Sequence, residues 1–135
     1  MSAHSPLSPK SADEALLSRF KLLATAVSRL NDIVLITEAE PLDQPGPRIV
    51  FVNDAFERRT GYTQEEALGN TPRMLQGPKT QRDELDRIRV ALTEWKPVRA
   101  ELINYTKAGK EFWLELDIVP VADENGWYTH WIAIE

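Results

Sequence analysis

Residues 48–61 have the sequence RIVFVNDAFERRTG, a stretch in which a β-strand runs directly into a short helix. Residues 48–52 are typical of a strand, because Arg48 is followed by an apolar run rich in Ile and Val. Asn53 is a residue type that caps helix N-termini, and Gly61 can adopt the left-handed conformation that ends a helix. The stretch therefore predicts a strand, a turn at Asn53 and a helix over residues 54–60.

The residues before this stretch predict the partner of its strand. Ile33-Val34-Leu35-Ile36-Thr37 is a continuous apolar and largely β-branched run that suits a central strand. Three prolines and a glycine between residues 41 and 47 then favour an open loop. We therefore expect residues 33–37 and 48–52 to pair as a hairpin.

The residues after this stretch predict a block of short helices. A capping box in residues 63–66, TQEE, predicts a helix that ends at Gly69. Residues 71–76 predict one helical turn, because the proline after Thr71 would occupy the first helical position, where its missing N–H costs nothing. Thr80 is expected to cap a longer helix that continues to about Trp95.

The C-terminal part of the chain predicts three strands. Glu101–Thr106 and Lys110–Val121 flank a short glycine turn, and Trp127–Glu135 follows a second turn. The odd-numbered residues from 131 to 135 share one face of the last strand, and the pattern alone does not decide whether that face points inward. Strand pairs before and after a block of helices predict an α+β domain, with a five-stranded antiparallel sheet and short helices on one face.

The N-terminal residues precede this domain and divide into two parts. Residues 1–11 are rich in Ser and Pro and predict a disordered tail. Residues 12–30 predict an amphipathic helix, because apolar residues recur in steps of four and three. These residues are Leu16, Phe20, Leu23, Val27 and Leu30. Their spacing leaves two alternatives open: the helix is the seam of a homodimer, or it lies on its own domain, residues 31–135.

The composition excludes several classes of protein. The chain has 135 residues, enough for one domain, and its formal net charge of −5 argues against nucleic acid or anionic lipid as a partner. It has no cysteine and two histidines, so no metal site is expected. No apolar run is long enough to be a signal peptide or to span a bilayer, and a cytoplasmic location is expected.

The usual catalytic signatures are missing, and we expect a protein that is not an enzyme and has no catalytic residues. Neither a nucleotide-binding glycine loop nor a nucleophile elbow occurs. Glu115 and Asp117 share one strand face and could form an acid/base pair. However, the opposite face of the strand carries Leu114, Leu116 and Ile118 and is therefore expected to face the core. Both carboxylates are then expected in solvent.

Two arginines and two amides are stronger candidates for a binding site. Arg89 lies at the edge of an apolar helix stripe, so either its stem follows apolar surface with its head in solvent, or it converges with Arg73 on an anion. Gln76 lies on the same side of its helical turn as Arg73. Strand parity places Asn104 on the same inward face as Leu102, where a buried amide needs hydrogen-bond partners.

Several motifs together resemble PAS domains of the light-oxygen-voltage (LOV) type. They are Phe51-Val52-Asn53-Asp54-Ala55-Phe56, Thr60-Gly61-Tyr62, Gly69-Asn70-Thr71-Pro72-Arg73-Met74-Leu75-Gln76-Gly77-Pro78, Leu102-Ile103-Asn104-Tyr105 and Phe112-Trp113. The similarity covers roughly residues 32–135. It implies a sensory and protein-interaction domain, usually one segment of a longer histidine kinase, cyclic-dinucleotide enzyme or similar receptor with its own output domain.

Flavin-binding members of this family hold flavin mononucleotide (FMN), and the resemblance implies which residues would contact it here. Arginines at the positions of Arg73 and Arg89 take the phosphate, and residues at the positions of Gln76 and Asn104 take the edges of the ring. The position of Glu135 belongs to the same set, since a glutamine there contacts the flavin edge in the family.

This sequence also departs from the family at three of its flavin-contacting positions. Pro72 stands where the photoactive members have the cysteine that attacks the flavin, so a cysteinyl adduct is impossible. Leu114 replaces a second ring-edge asparagine and can neither donate nor accept a hydrogen bond. Glu135 replaces the signalling glutamine, and an ionised carboxylate has no hydrogen to donate.

Two functional hypotheses follow, and they differ in what occupies the pocket. In the first, the chain is a sensory PAS module that binds flavin non-covalently and reports redox state or light. In the second, it binds no cofactor and acts through dimerisation, with its pocket filled by side chains such as Leu114, Met74 or Trp131. An enzymatic role rests only on Glu115 and Asp117.

Overall fold

The computed structural model describes residues 9–28 and 30–135, which form one antiparallel sheet, four α-helices and a 3-10 helix. The strands are β1 (Val34–Glu38), β2 (Ile49–Val52), β3 (Val98–Tyr105), β4 (Glu111–Ala122) and β5 (Tyr128–Ile134). The helices are α1 (Pro9–Ser28), α2 (Asp54–Thr60), α3 (Gln64–Ala67), the 3-10 helix (Pro72–Leu75) and α4 (Arg82–Thr93). The predicted α+β fold is confirmed.

The strand order in the sheet is β2-β1-β5-β4-β3, and every neighbouring pair is antiparallel. The predicted hairpin of β1 and β2 is present, with Leu35 opposite Val52. The last strand, β5, lies in the centre of the sheet between β1 and β4. This insertion brings the two ends of the domain together, because the backbones of Ile33 and Glu135 exchange two hydrogen bonds of 2.9 and 2.8 Å.

Asn53 connects helix α2, strand β1 and the end of helix α1. Its side-chain oxygen accepts hydrogen bonds from the backbone N–H groups of Phe56 and Val34, and its amide nitrogen donates to the carbonyls of Val27 and Asp32. The residue is 1% exposed, so each of these groups depends on Asn53 and not on water. The predicted N-cap is confirmed, and so is the left-handed Gly61, with φ of 80°.

We expect Asn53→Ala to lower the free energy of unfolding by about 2 kcal/mol, because it removes a helix cap and leaves the buried N–H of Val34 without an acceptor. Urea denaturation measures this change. Asn125→Ala, in the exposed turn before β5, is the matched control and should change it by less than about 0.5 kcal/mol. Equal losses in both variants would show that the network around Asn53 contributes nothing special.

The start of helix α4 differs from its prediction. Its N-cap is Gln81 and not Thr80, and the Gln81 side chain makes no capping hydrogen bond. The Thr80 hydroxyl instead donates to the carbonyl of Ile103 at 2.6 Å and accepts from the N–H of Gly77 at 3.0 Å. Thr80 therefore anchors the loop before α4 to strand β3, a tertiary contact that local sequence does not reveal.

Helix α1 begins at Pro9, earlier than the predicted Ala12, and ends at Ser28. Proline is tolerated at the first helical position. Residues 9–11, which were expected to belong to the disordered tail, are therefore part of the helix. The rest of that tail, residues 1–8, lies outside the described residues. Within the described part of the chain, no helix is both long enough and apolar enough to cross a membrane.

The apolar residues of helix α1 are exposed in the described chain. Leu16, Phe20 and Leu23 are 65%, 68% and 66% exposed, and Val27 alone of the predicted seam within the helix is half-buried. Leu16, Phe20 and Leu23 therefore do not pack against residues 31–135, as the alternative in which α1 lies on its own domain would require.

Candidate functional site

A cavity of about 570 Å³ lies between the sheet and the helices that cover it. Four strands supply one wall, through Leu35, Thr37, Leu102, Asn104, Leu116, Ile118, Trp131, Ala133. The 3-10 helix, helix α4 and the loop between β1 and β2 supply the other wall. A volume of this size is typical of sites that hold a small molecule or cofactor.

The cavity brings together all five residues that the sequence analysis singled out for cofactor binding. Arg73 and Gln76 reach it from the 3-10 helix and its C-cap, Arg89 from α4, Asn104 from β3 and Glu135 from the end of β5. These elements are distant in sequence, and they meet because the helices fold over the same face of the sheet.

The two arginines have different environments at the cavity. Arg89 is half-exposed, forms an ion pair with Asp43, and donates to the carbonyl of Leu42 at 3.3 Å. Arg73 forms no ion pair with any carboxylate of the described chain, and its Nε lies 3.4 Å from the position that a Cβ on Gly46 would take. Arg73 is thus the arginine whose charge remains available to an anion.

Asn104 and Glu135 each place a buried oxygen without a hydrogen-bond partner at the cavity. The Asn104 side chain is 5% exposed, as strand parity predicted, yet its Oδ1 accepts no hydrogen bond. The Oε2 atom of Glu135 is also buried and has no hydrogen-bond partner. Buried polar atoms are normally paired, so these two mark a place where a donor from a bound molecule would be stabilised.

Burial also changes the acidity of Glu135. Desolvation raises the pKa of its carboxyl from 4.5 to about 7, and the positive charge of Arg59 offsets only part of this rise. Glu135 as a whole is half-buried, but its Oε2 atom is fully buried. The rise in pKa therefore reflects the environment of the carboxyl group and not that of the whole residue. Near neutral pH the carboxyl can therefore be protonated and act as a donor as well as an acceptor.

The inward face of β5 is fixed by the tertiary structure. Trp131 and Ala133 are 3% and 8% exposed and line the cavity together with Glu135. Of the side chains proposed to fill the pocket, Trp131 forms part of its wall. Leu114 and Met74 pack into the core and do not line the cavity.

The carboxylate pair of strand β4 lies away from the cavity. Asp117 accepts a hydrogen bond from the guanidinium of Arg99 at 2.8 Å, and Glu115 is exposed. The prediction that both carboxylates face away from the core is in agreement with this arrangement. Among the described residues, no group of three or more acidic or histidine side chains could hold a metal ion.

Two features of the site are not indicated by the sequence. Asp43 pairs with Arg89 although the two residues are far apart in sequence, and the only signal was an acidic residue in the proline-rich loop. Trp95 lies against Trp131 with ring centroids 5.1 Å apart, which the helical pattern around Trp95 could not indicate.

The cavity thus combines apolar walls, two arginines and two unpartnered buried oxygens. A family model described as PAS domain matches residues 31–135. The chain belongs to the PAS domain family. The predicted PAS assignment is confirmed, and the match begins where the described domain begins, just before β1.

Curated relatives of this PAS domain include plant and bacterial proteins named for light responses. It is 40% identical to phototropin-2 of Oryza sativa over 113 residues, which are 84% of this chain and 12% of that protein. It is 39% identical over 117 residues to a blue-light photoreceptor of Listeria innocua, covering 87% of this chain and 45% of that protein. A blue-light-activated histidine kinase of Rhizobium johnstonii is 36% identical over 123 residues, which are 91% of this chain and 35% of that protein.

The PAS domain therefore spans less than half the length of each of these relatives.

Proposed function

We propose that this PAS domain is a sensory module of the LOV type that binds flavin mononucleotide without a covalent bond. The observation that carries the proposal is the pair of buried, unpartnered oxygens of Asn104 and Glu135 in a cavity with two arginines. A flavin has polar ring edges for the two oxygens and a phosphate for the guanidinium groups. The names of the light-responsive relatives support the same ligand class.

Each of the five residues has a defined role in this proposal. Arg73 binds the phosphate directly, because its charge is unpaired in the described chain. Arg89 joins it only after releasing Asp43. Gln76, Asn104 and Glu135 hold the polar edges of the ring and fix its orientation. When bound, the flavin supplies absorption of blue light and reversible electron acceptance.

Signalling by this module cannot involve a cysteinyl adduct, because Pro72 occupies the corresponding position and the chain has no cysteine. The proposed signal is therefore a change in the redox state of the flavin, reached in the dark or under light. Glu135 reports that change, since its carboxyl at the cavity can gain or lose a proton near neutral pH and its backbone pairs with Ile33 at the start of the domain.

The proposed place of this module is within a longer receptor that has an output domain, such as a histidine kinase or a cyclic-dinucleotide enzyme. Relatives named as histidine kinases support this context, and the chain covers about a third of one of them. The PAS domain itself is given no catalytic role, and its cytoplasmic location stays a prediction.

A cofactor-free interaction module is the second candidate, and the ion pair of Arg89 with Asp43 favours it. A guanidinium that is already neutralised by a carboxylate is less available to a phosphate. In this alternative the cavity has no resident ligand, and the domain acts through helix α1 and contacts between copies.

Flavin loading of the purified chain distinguishes the two candidates. We expect the protein to be yellow or to become so when mixed with FMN, with quenched flavin emission and one flavin per chain. Heat denaturation should release the flavin and restore its emission, because nothing binds it covalently. A protein that takes up no flavin at micromolar concentrations would reject the first candidate in favour of the second.

We further propose that helix α1 mediates homodimerisation, since Leu16, Phe20 and Leu23 form an exposed apolar face at heptad spacing. Replacing Phe20 and Leu23 with Ser should shift the chain from dimer to monomer in light scattering. Lys21→Ser, on the same helix but outside the seam, is the control and should leave the dimer intact. If a chain that begins at Asn31 keeps the dimer fraction of the full chain, helix α1 is not the seam.

A further inference from the structure

Three aromatic rings form a continuous stack from the cavity to the surface. Trp95 lies between Trp131 and Tyr128, with ring centroids 5.1 and 5.0 Å apart and interplanar angles of 2° and 6°. Exposure rises along the stack: Trp131 is 3% exposed, Trp95 is half-buried and Tyr128 is 42% exposed. Trp131 lines the cavity, so the stack joins the cavity wall to solvent.

The backbone is strained at Trp95, the central residue of the stack. Helix α4 ends in a Schellman motif: the N–H of Trp95 donates to the carbonyl of Leu92, and the N–H of Lys96 donates to that of Ala91. Trp95 occupies the left-handed position of the motif, with φ of 56°, where glycine is the usual residue. Such a conformation is unfavourable for a bulky residue, so contacts of the indole are needed to stabilise it.

The inner ring of the stack is held in one orientation. The indole Nε1–H of Trp131 donates to the carbonyl of Ala39 at 3.1 Å, within the buried interior. This hydrogen bond and the stacking contact both oppose rotation of the Trp131 ring away from Trp95. Stacked aromatic rings in van der Waals contact provide the shortest non-bonded steps for electron transfer, whose rate falls steeply with distance.

We propose that Trp131, Trp95 and Tyr128 form an electron relay between solvent and a flavin held in the cavity. The proposal rests on the flavin binding proposed above. On illumination, Trp131 loses one electron to the bound ring, which is reduced by one electron, and Trp95 then reduces the oxidised Trp131. Tyr128 reduces Trp95 and releases its phenolic proton to water. A one-electron reductant in solution, such as ascorbate, returns an electron to Tyr128, which takes its phenolic proton back from water. One electron thus passes from the reductant to the ring.

The relay also explains how a chain without cysteine can retain a response to light. Direct return of the electron from the ring to Trp131 would otherwise cancel each transfer. When Trp95 and then Tyr128 become the oxidised residue, the oxidised side chain lies farther from the reduced ring. The return of the electron is then slower, which gives the reductant in solution time to act. The relay therefore determines how long the reduced ring persists, and not whether the flavin binds.

Trp131→Phe, Trp95→Phe and the control Trp127→Phe test the relay in the FMN-loaded chain. Phenylalanine keeps an aromatic ring in each position but is much harder to oxidise. Trp127 is exposed, lies one residue before β5 and is not part of the stack. Three measurements apply: the emission lifetime of the bound flavin, the transient absorption of oxidised tryptophan, and the rate of flavin bleaching under blue light with ascorbate.

Trp131→Phe should lengthen the flavin emission lifetime several-fold and remove the oxidised-tryptophan signal. Trp95→Phe should leave the emission lifetime near that of the original chain. Oxidised Trp131 should live longer, because only the return of the electron from the ring remains to reduce it, while the reduced ring should persist for less time and bleaching should slow several-fold. Trp127→Phe should change none of the three. These readouts separate electron transfer from a loss of folding or of flavin affinity, which the melting temperature and the FMN titration report.

Two results would overturn the relay while leaving flavin binding in place. An unchanged emission lifetime in Trp131→Phe would show that Trp131 is not the first donor. Equal bleaching rates and equal radical lifetimes in Trp95→Phe and the original chain would show that no electron passes through the stack. A chain that takes up no FMN at all would reject both the relay and the proposed function.

Discussion

Arg73→Ala is expected to weaken FMN binding about 30-fold or more while leaving riboflavin binding little changed. Riboflavin carries the same ring but has no phosphate, so only FMN loses a charged hydrogen bond. Truncating one partner of such a charge pair costs about 2 kcal/mol at the low end, and each 1.4 kcal/mol corresponds to about tenfold in Kd. Fluorescence titration with each flavin measures the two affinities.

Arg89→Ala should show the same selectivity for FMN with a smaller effect. Arg89 is already paired with Asp43, so part of its interaction with a phosphate is offset by the contact that it must give up. Arg58→Ala removes a positive charge from helix α2 at a position outside the cavity and serves as the control. Equal losses for FMN and riboflavin in Arg73→Ala would reject the assignment of the phosphate to Arg73.

Glu135 should make the flavin-free protein less stable as the pH rises from about 4.5 to above 7. The unfolded chain holds this carboxyl near its ordinary pKa of 4.5, whereas burial raises the pKa to about 7 in the folded chain. Below pH 4.5 the group is protonated in both states and costs nothing. Above pH 7 the folded state must hold a buried carboxylate, and a shift of this size corresponds to roughly 3 kcal/mol.

Glu135→Gln should remove this contribution, because the amide has nearly the same shape and does not ionise. Urea denaturation at pH 5 and pH 8 gives the change in unfolding free energy, and the variant should lose less stability than the original chain between the two values. Glu124→Gln, in the exposed turn between β4 and β5, controls for the loss of one negative charge. The assignment is wrong if the original chain and Glu135→Gln show the same dependence on pH.

Local sequence determined most of the secondary structure because the relevant signals act over a few residues. The cap at Asn53, the left-handed Gly61 and the capping box at residues 63–66 were all predicted, and the structure has each of them. Strand alternation also predicted that Asn104 would be buried. The five strands and their antiparallel arrangement followed from the same short-range patterns.

Short-range sequence signals gave wrong predictions where a side chain contacts a residue that is distant in sequence. Thr80 resembles a helix cap by sequence, but its hydroxyl bonds to Ile103 across the fold. The sequence predicted that helix α4 continues to about Trp95, yet the helix ends at Thr93 and Trp95 stacks with two residues of β5. Such contacts join residues well separated in sequence, so no periodicity within one element can indicate them.

The sequence by itself determined the α+β fold, the PAS resemblance and the five candidate residues, since these depend on local patterns and on motifs. Only the tertiary structure decided that the odd-numbered face of β5 points inward and that Asp43 holds Arg89. It also revealed the unpartnered oxygens of Asn104 and Glu135. The physical reason is that burial and pairing are properties of the packed chain, because a strand face becomes the core only when other elements cover it.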